Sequence, residues 1–175
     1  RPPGAIVSRE YQVLSKTPVR SRLRYEMQSR PGFVPDADET DATLRTHLNL
    51  PANNPRTRAL AEQWRRETGQ AAGQNEAVIR RMLDHFRQES FFYTLTPPLL
   101  GENGIDQFLF ETRRGFCEHY ASAFVFAMRA AGIPARVVTG YQGGERNPID
   151  GYLIVRQSDA HAWTEVWLDG RGWVR

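Results

Sequence analysis

The chain has 175 residues, 40% of them hydrophobic and 25% charged, which is enough for one globular domain with a small appendage and too apolar for a disordered segment. Its net charge of +3 comes from arginines scattered among acids, not gathered in a block, and this weighs against nucleic-acid binding. A single cysteine excludes an internal disulfide framework and a CxxC zinc site, and no stretch reaches the roughly 18 uncharged apolar residues of a membrane span. No cofactor fingerprint or metal-ligand cluster stands out, so none is expected.

From Ile6 to Ser29 the chain reads as two strands, "IVSREYQVLS" and "VRSRLRYEMQS", joined by a turn at Thr17 and Pro18. A two-stranded hairpin is marginal in water, so the pair is expected to belong to a β-module with further strands upstream. Residues 31–54 are rich in proline and acids and read as a linker ending in a helix start. Residues 1–52 are thus the remnant of an upstream β-module plus linker, and residues 53–175 the core. The chain opens at Arg1 without a signal-like leader and closes on the apparent strand "GWVR", which points to a piece cut from something longer.

Asn54 with Pro55 marks a helix start, and the first helix runs over Pro55 to Thr68 with Leu60, Ala61 and Trp64 on its apolar side. A second begins near Asn75 and carries Val78, Ile79, Met82, Leu83 and Phe86 at helical spacing. The run "FFYTLT" follows as a short β-like piece, then the loop "PPLLGENG" and a short helical piece around "IDQFLFE".

Cys117 opens the next helix, in which Cys117, Tyr120, Ala121, Phe124, Val125 and Met128 form one stripe. A cysteine in an apolar row is ordinarily a small buried hydrophobe. The first turn of a helix is different. There a thiol meets the positive end of the macrodipole and unpaired N–H groups, which favour a thiolate and can bind an oxyanion. A nucleophile also needs a base, and His119, about 200° round the helix, points away from the thiol. His47 falls in the linker, and His85 alternates with apolar neighbours as a partly exposed helical histidine.

After Gly132, which reads as a helix C-cap, the runs "ARVVTGY", "YLIVRQ" and "HAWTEVWL" form an antiparallel meander. His161 sits at the mouth of the third run, where it meets a thiol at the helix start if the sheet packs on that helix. A satisfied surface imidazole is the equally weighted alternative.

The residues "GFCEHYASAFVFAMRAAGIPARVVTGY" and "DAHAWTEVWLDGRGWV" together resemble the transglutaminase-like cysteine enzymes of the papain-like superfamily. The resemblance is closest to the bacterial membrane-anchored proteins of the TgpA type. It implies an α+β fold with a catalytic helix packed on an antiparallel sheet, Cys117 as nucleophile and His161 as base. It also implies a third acid just after Arg175, outside this chain, since Asp169 lies in a turn and Glu165 is too far along the strand. The implied reaction is acyl transfer from a glutamine carboxamide to an amine through a cysteine thioester. Its partners are a protein or peptide donor and an amine acceptor, at the periplasmic face of the inner membrane. The alternatives are a cysteine peptidase or amidase, or a catalytically silent module that binds protein or cell-wall peptide. Arg136 is expected to pair with a neighbouring acid and stays outside the site.

Overall fold

The computed structural model describes residues 4–8, 12–22, 24, 26, 28, 39–69 and 73–175. The chain divides into two compact units, Arg1–Phe33 and Val34–Arg175. In the first, β1 (Ala5–Val7) pairs antiparallel with β2 (Val13–Ser15). Apart from Ala5, both lie inside the stretch expected to be one strand. Ser8 N–H donates to Gln12 O and Ser8 Oγ accepts Gln12 N–H, so β1 pairs with β2 and not across the turn anticipated at Thr17 and Pro18. Residues 19–22, 24, 26 and 28 carry no strand, and residues 23, 25, 27 and 29 of the anticipated second strand lie outside the described residues.

The second unit is α+β. Its first helix, α1 (Asp41–Thr46), falls in the stretch read as linker, where Thr40 Oγ1 accepts Thr43 N–H as an N-cap. This segment joins the core, because Ala135 N–H donates to His47 O and the Arg129 guanidinium to Asn49 O. Helix α2 (Pro55–Thr68) has the expected bounds, but Asn54 does not cap it. Held in the left-handed region at φ 58°, Asn54 instead turns its Oδ1 to the N–H groups of Ile105 and Asp106 at 3.0 and 3.2 Å. Asp106, 3% exposed, accepts the N–H groups of Arg56 and Thr57 at 2.9 and 2.8 Å and the Thr57 hydroxyl at 2.6 Å. The two side chains cap each other's helices across about fifty residues of sequence.

Helix α3 (Gln74–Gln88) buries Val78 and Met82, while Leu83 is 38% exposed. The two-residue strand β3 (Phe92–Tyr93) follows, then α4 (Gly104–Gln107), which widens into a π-turn over Phe108–Thr112. Arg113 N–H closes that turn on Phe108 O at 2.9 Å, with Arg113 left-handed at φ 51°. The chain then forms β4 (Arg114–Gly115), parallel to β3, and enters α5 (Cys117–Ala130).

Helix α5 is the centre of the unit. It packs on α2 and α3 on one side and on the main sheet on the other. Phe124, Val125, Phe126 and Met128 are buried along it, each such side chain contributing roughly 1.5–3 kcal/mol. It ends in a Schellman motif: Ile133 N–H donates to Met128 O, Gly132 N–H to Arg129 O, and Gly132 takes the left-handed φ of 76°.

The main sheet has the order β5 (Ala135–Tyr141), β8 (Ala160–Leu168), β9 (Gly172–Val174), antiparallel throughout. The expected meander is not formed. "YLIVRQ" supplies β7 (Leu153–Ile154), which pairs only with β6 (Glu145–Arg146) in a separate hairpin. Gly143 and Gly144, both at positive φ, turn the chain out of β5, and the inner edge of β5 is filled by β8. Ala162, Val166 and Leu168 are buried on the α5 side, as strand alternation requires.

Candidate active site

The start of α5 is fixed by what precedes it. Phe92 N–H donates to Arg113 O and Thr94 N–H to Gly115 O, both at 2.8 Å, so the chain enters the helix from a bonded ledge. Phe116 is the extended N-cap residue, and its N–H donates to His119 Nδ1 at 3.4 Å. Phe116 O accepts the N–H groups of His119 and Tyr120, which leaves those of Cys117 and Glu118 without an intrahelical acceptor. Gly115 is dictated by space. A Cβ there would lie 2.6 Å from His119 Cγ and 2.9 Å from the Phe108 ring.

The start of β8 is held as firmly. A short 3₁₀ turn, Gln157–Asp159, leads into it, with Asp159 Oδ2 accepting Arg156 N–H at 2.7 Å and Asp159 O accepting Gln142 N–H at 2.9 Å. His161 then falls opposite Gly140 in the β5–β8 register. The Trp163 indole occupies the space a side chain on Gly140 would need, at 2.8 Å from an added Cβ. A glycine opposite His161 therefore lets an aromatic wall close beside the imidazole.

Cys117 and His161 are brought together. Both are partly exposed, and both line a cavity of about 930 Å³ whose walls include Tyr93, Glu118, Thr139, Tyr141 and Asp159. They also line a smaller cavity of about 360 Å³ with Tyr120, Phe124, Trp163 and Arg175, alongside β8. Tyr93 borders both cavities and stacks on Tyr120 at 6.2 Å. Burial, with Tyr93 beside it, pushes the Tyr120 hydroxyl above its ordinary range, so it meets the site protonated.

The other histidines are placed elsewhere. His119 packs on Phe108 and Phe116 and lines a different cavity with Asn54 and Ser122, as its helical angle predicts. The His47 ring meets Trp173 edge-on at 4.8 Å. His85 lies among Trp64, Phe86 and Phe91, and burial lowers its pKa. Its ring is half-buried, in keeping with the partly exposed helical histidine expected there. Arg136 pairs with Glu165 through Nε and Nη2 at 2.8 and 2.7 Å and lies over the Trp173 ring at 4.1 Å. That engagement removes both from the site, and Asp169 lies in the turn between β8 and β9. Among the described residues no group of three His, Cys, Asp or Glu is arranged for a metal ion. Nor is any helix there long and apolar enough to cross a membrane.

Residues 59–175 match the family described as the transglutaminase-like superfamily. The chain belongs to the transglutaminase-like superfamily. Among its relatives in the superfamily is a Pseudomonas aeruginosa protein named protein-glutamine gamma-glutamyltransferase, 48% identical over 166 residues. That match covers 94% of this chain and 24% of the relative, so the chain spans about a quarter of the curated relative's length. An uncharacterised Bacillus subtilis protein, YebA, is 36% identical over 136 residues, covering 73% of this chain and 18% of its own length. The crystallised periplasmic domain of TgpA from P. aeruginosa, bound to ethylmercury, superposes with a TM-score of 0.88 at 44% identity. The match takes in 98% of this chain and 61% of that one. The transglutaminase-like α+β fold expected from the cysteine and histidine motifs is the fold found.

Sequence reading missed Tyr93, Gly140 and Trp163 as walls of the site. The glycine inside "ARVVTGY" was the available signal, because an isolated glycine in a strand marks close approach by a neighbour.

Proposed function

We propose that this domain transfers the acyl group of a glutamine carboxamide to an amine through a thioester on Cys117. The observation that carries the reading is the meeting of Cys117, at the first turn of α5, with His161, at the start of β8, in one cavity. His161 takes the thiol proton as Sγ attacks the carboxamide carbon. The oxyanion receives the Cys117 N–H at the helix start, and the C–N bond breaks as His161 returns the proton to departing ammonia. An amine then attacks the thioester carbon, forming the new amide and restoring the thiol. Water in place of the amine leaves a carboxylate.

A third acid completes the triad on the continuation of β9. The ladder pairs Val166 with Val174, so His161, five residues earlier in β8, faces the fifth residue after Val174. A carboxylate there would fix the imidazole tautomer and stabilise the imidazolium. The activity named for the P. aeruginosa relative supports a protein glutamine as donor, and the likeness to a crystallised periplasmic domain supports a periplasmic setting. We place the whole protein at the periplasmic face of the inner membrane, anchored by segments outside this sequence.

The test is incorporation of a biotinylated primary amine into a glutamine-bearing protein, with ammonia release measured in parallel. Wild type is expected to do both and Cys117→Ala neither. Equal incorporation by the two would overturn the nucleophile, and cleaved peptide bonds without incorporation would make the domain a peptidase.

A further inference from the structure

Strand β5 is an edge strand of the main sheet, and its outer side opens where the catalytic cavity lies. Trp167 N–H donates to Pro134 O and Gln142 N–H to Asp159 O, so the even-numbered positions of β5 bond to β8. The main-chain groups of Val137, Thr139 and Tyr141 therefore point away from it. At Ala135 the outer side is occupied, its N–H by His47 O and its carbonyl by Arg129 Nε. Beyond Ala135, among the described residues, no hydrogen bond reaches the outward groups of Val137, Thr139 and Tyr141. These residues are exposed, Tyr141 at 54%. Proteins commonly guard such edges with charge, proline or a bulge. From Val137 to Gly144 this chain has no charged residue and no proline.

We propose that the outer edge of β5 at Val137–Tyr141 pairs with an extended segment of the acyl-donor polypeptide and delivers its glutamine to Cys117. The proposal rests on the acyl-transfer reading and adds how the donor is held. Thr139 and Tyr141 offer two N–H groups and two carbonyls about 7 Å apart, the two-residue repeat of a bound strand. A partner strand would lie about 4.8 Å outside β5. Thr139 is opposite Ala162, which is buried on the α5 side of the sheet, and a donor residue opposite Thr139 projects to that same side. Cys117 begins α5 on that side, and Thr139 and Tyr141 both line its cavity. Main-chain bonding supplies affinity whatever the flanking side chains.

The experiment uses this protein with an eleven-residue peptide carrying a central glutamine, a biotinylated amine as acceptor, and single backbone N-methylations walked along the peptide. Loss of one edge hydrogen bond is expected to raise KM about fivefold to tenfold. Sensitive positions should alternate with insensitive ones, and the same alternation should appear in binding to Cys117→Ala. Thr139→Pro, tolerated on an edge because this N–H bonds nothing within the sheet, removes one bond from the enzyme side. It should raise the peptide KM by a similar factor and add to the effect of N-methylation, because the proline removes an enzyme N–H and the methyl group a peptide N–H. If Thr139→Pro does not fold, the scan on wild type decides alone. A flat profile, consecutive sensitive positions, or alternation in an acceptor peptide instead of the donor overturns the edge. If the parent peptide binds Cys117→Ala with alternation but wild type never turns it over, the acyl-transfer reading fails and the edge stands. If the parent neither binds nor reacts, the edge falls.

Discussion

Asn54 and Asp106 each hold the helix that the other begins. Asn54 Oδ1 accepts the Ile105 and Asp106 N–H groups, and the Asp106 carboxylate accepts those of Arg56 and Thr57. The exchange is buried and locks α2 to α4, the element that leads into the ledge before Cys117. Asp106→Ala leaves three donors without their acceptor and should lower stability by about 2–4 kcal/mol, read from denaturant midpoints. A loss under about 0.5 kcal/mol would mean that water replaces the carboxylate without cost.

Gly115→Ala should be costly although the glycine is not at positive φ. Its methyl group would overlap the His119 ring and Phe108, and relief requires moving the residue two places before the thiol. The expected outcome is a loss of about 1–3 kcal/mol together with slower alkylation of Cys117 by iodoacetamide. Unchanged melting and alkylation would show that the ring has room to swing.

His161→Ala should slow that alkylation near neutral pH by about tenfold or more, because the thiol loses its base. His119→Ala removes an acceptor for the Phe116 N–H and should change the rate by less than about threefold. Equal effects from the two would put the wrong histidine at the centre of the site.

His85 gives a pH dependence of stability. Burial depresses its pKa in the folded state below the ordinary 6.5, with Arg113 adding to the shift and Glu89 opposing it. Below 6.5 the unfolded chain binds more protons at this residue than the folded one, so its contribution is fully present above 6.5 and is lost as pH falls from there through the lower folded-state pKa. Melting temperature should drop between pH 7 and 5, and His85→Phe should flatten the drop. An identical slope in the variant would assign the effect to other groups.

Where a signal was local, the sequence carried it. Pro55 after Asn54, the apolar stripe from Cys117 to Met128, Gly132 and the alternation of β8 each act within a few residues, and those elements stand where the spacing placed them. The strand hydrogen bonds of "YLIVRQ" were not legible, because β-propensity does not name a partner, and Gly143 and Gly144 direct it to β6. Nor was the role of Asn54, since its ligands lie about fifty residues away and only the tertiary fold brings them close. Of the candidate site, Cys117 stood out by its place at a helix start, while His161 was weighed evenly against a surface imidazole and was singled out only by the family resemblance. Tyr93 and Trp163 were not legible, because a wall is defined by what packs around it.

The π-turn at Phe108–Thr112 works as a length gauge. Five residues close where an α-turn would use four, so one residue is present beyond what continuous α-helix needs. Deleting one residue there would let α4 wind on regularly, but each residue of helix carries about 100° of rotation. The deletion would swing Arg114 and Gly115 off their pairing with Phe92 and Tyr93, and Cys117 with them. Insertions and deletions in this stretch should therefore be rarer among working descendants of the gene than substitutions, and a laboratory library that varies segment length should recover only the original count.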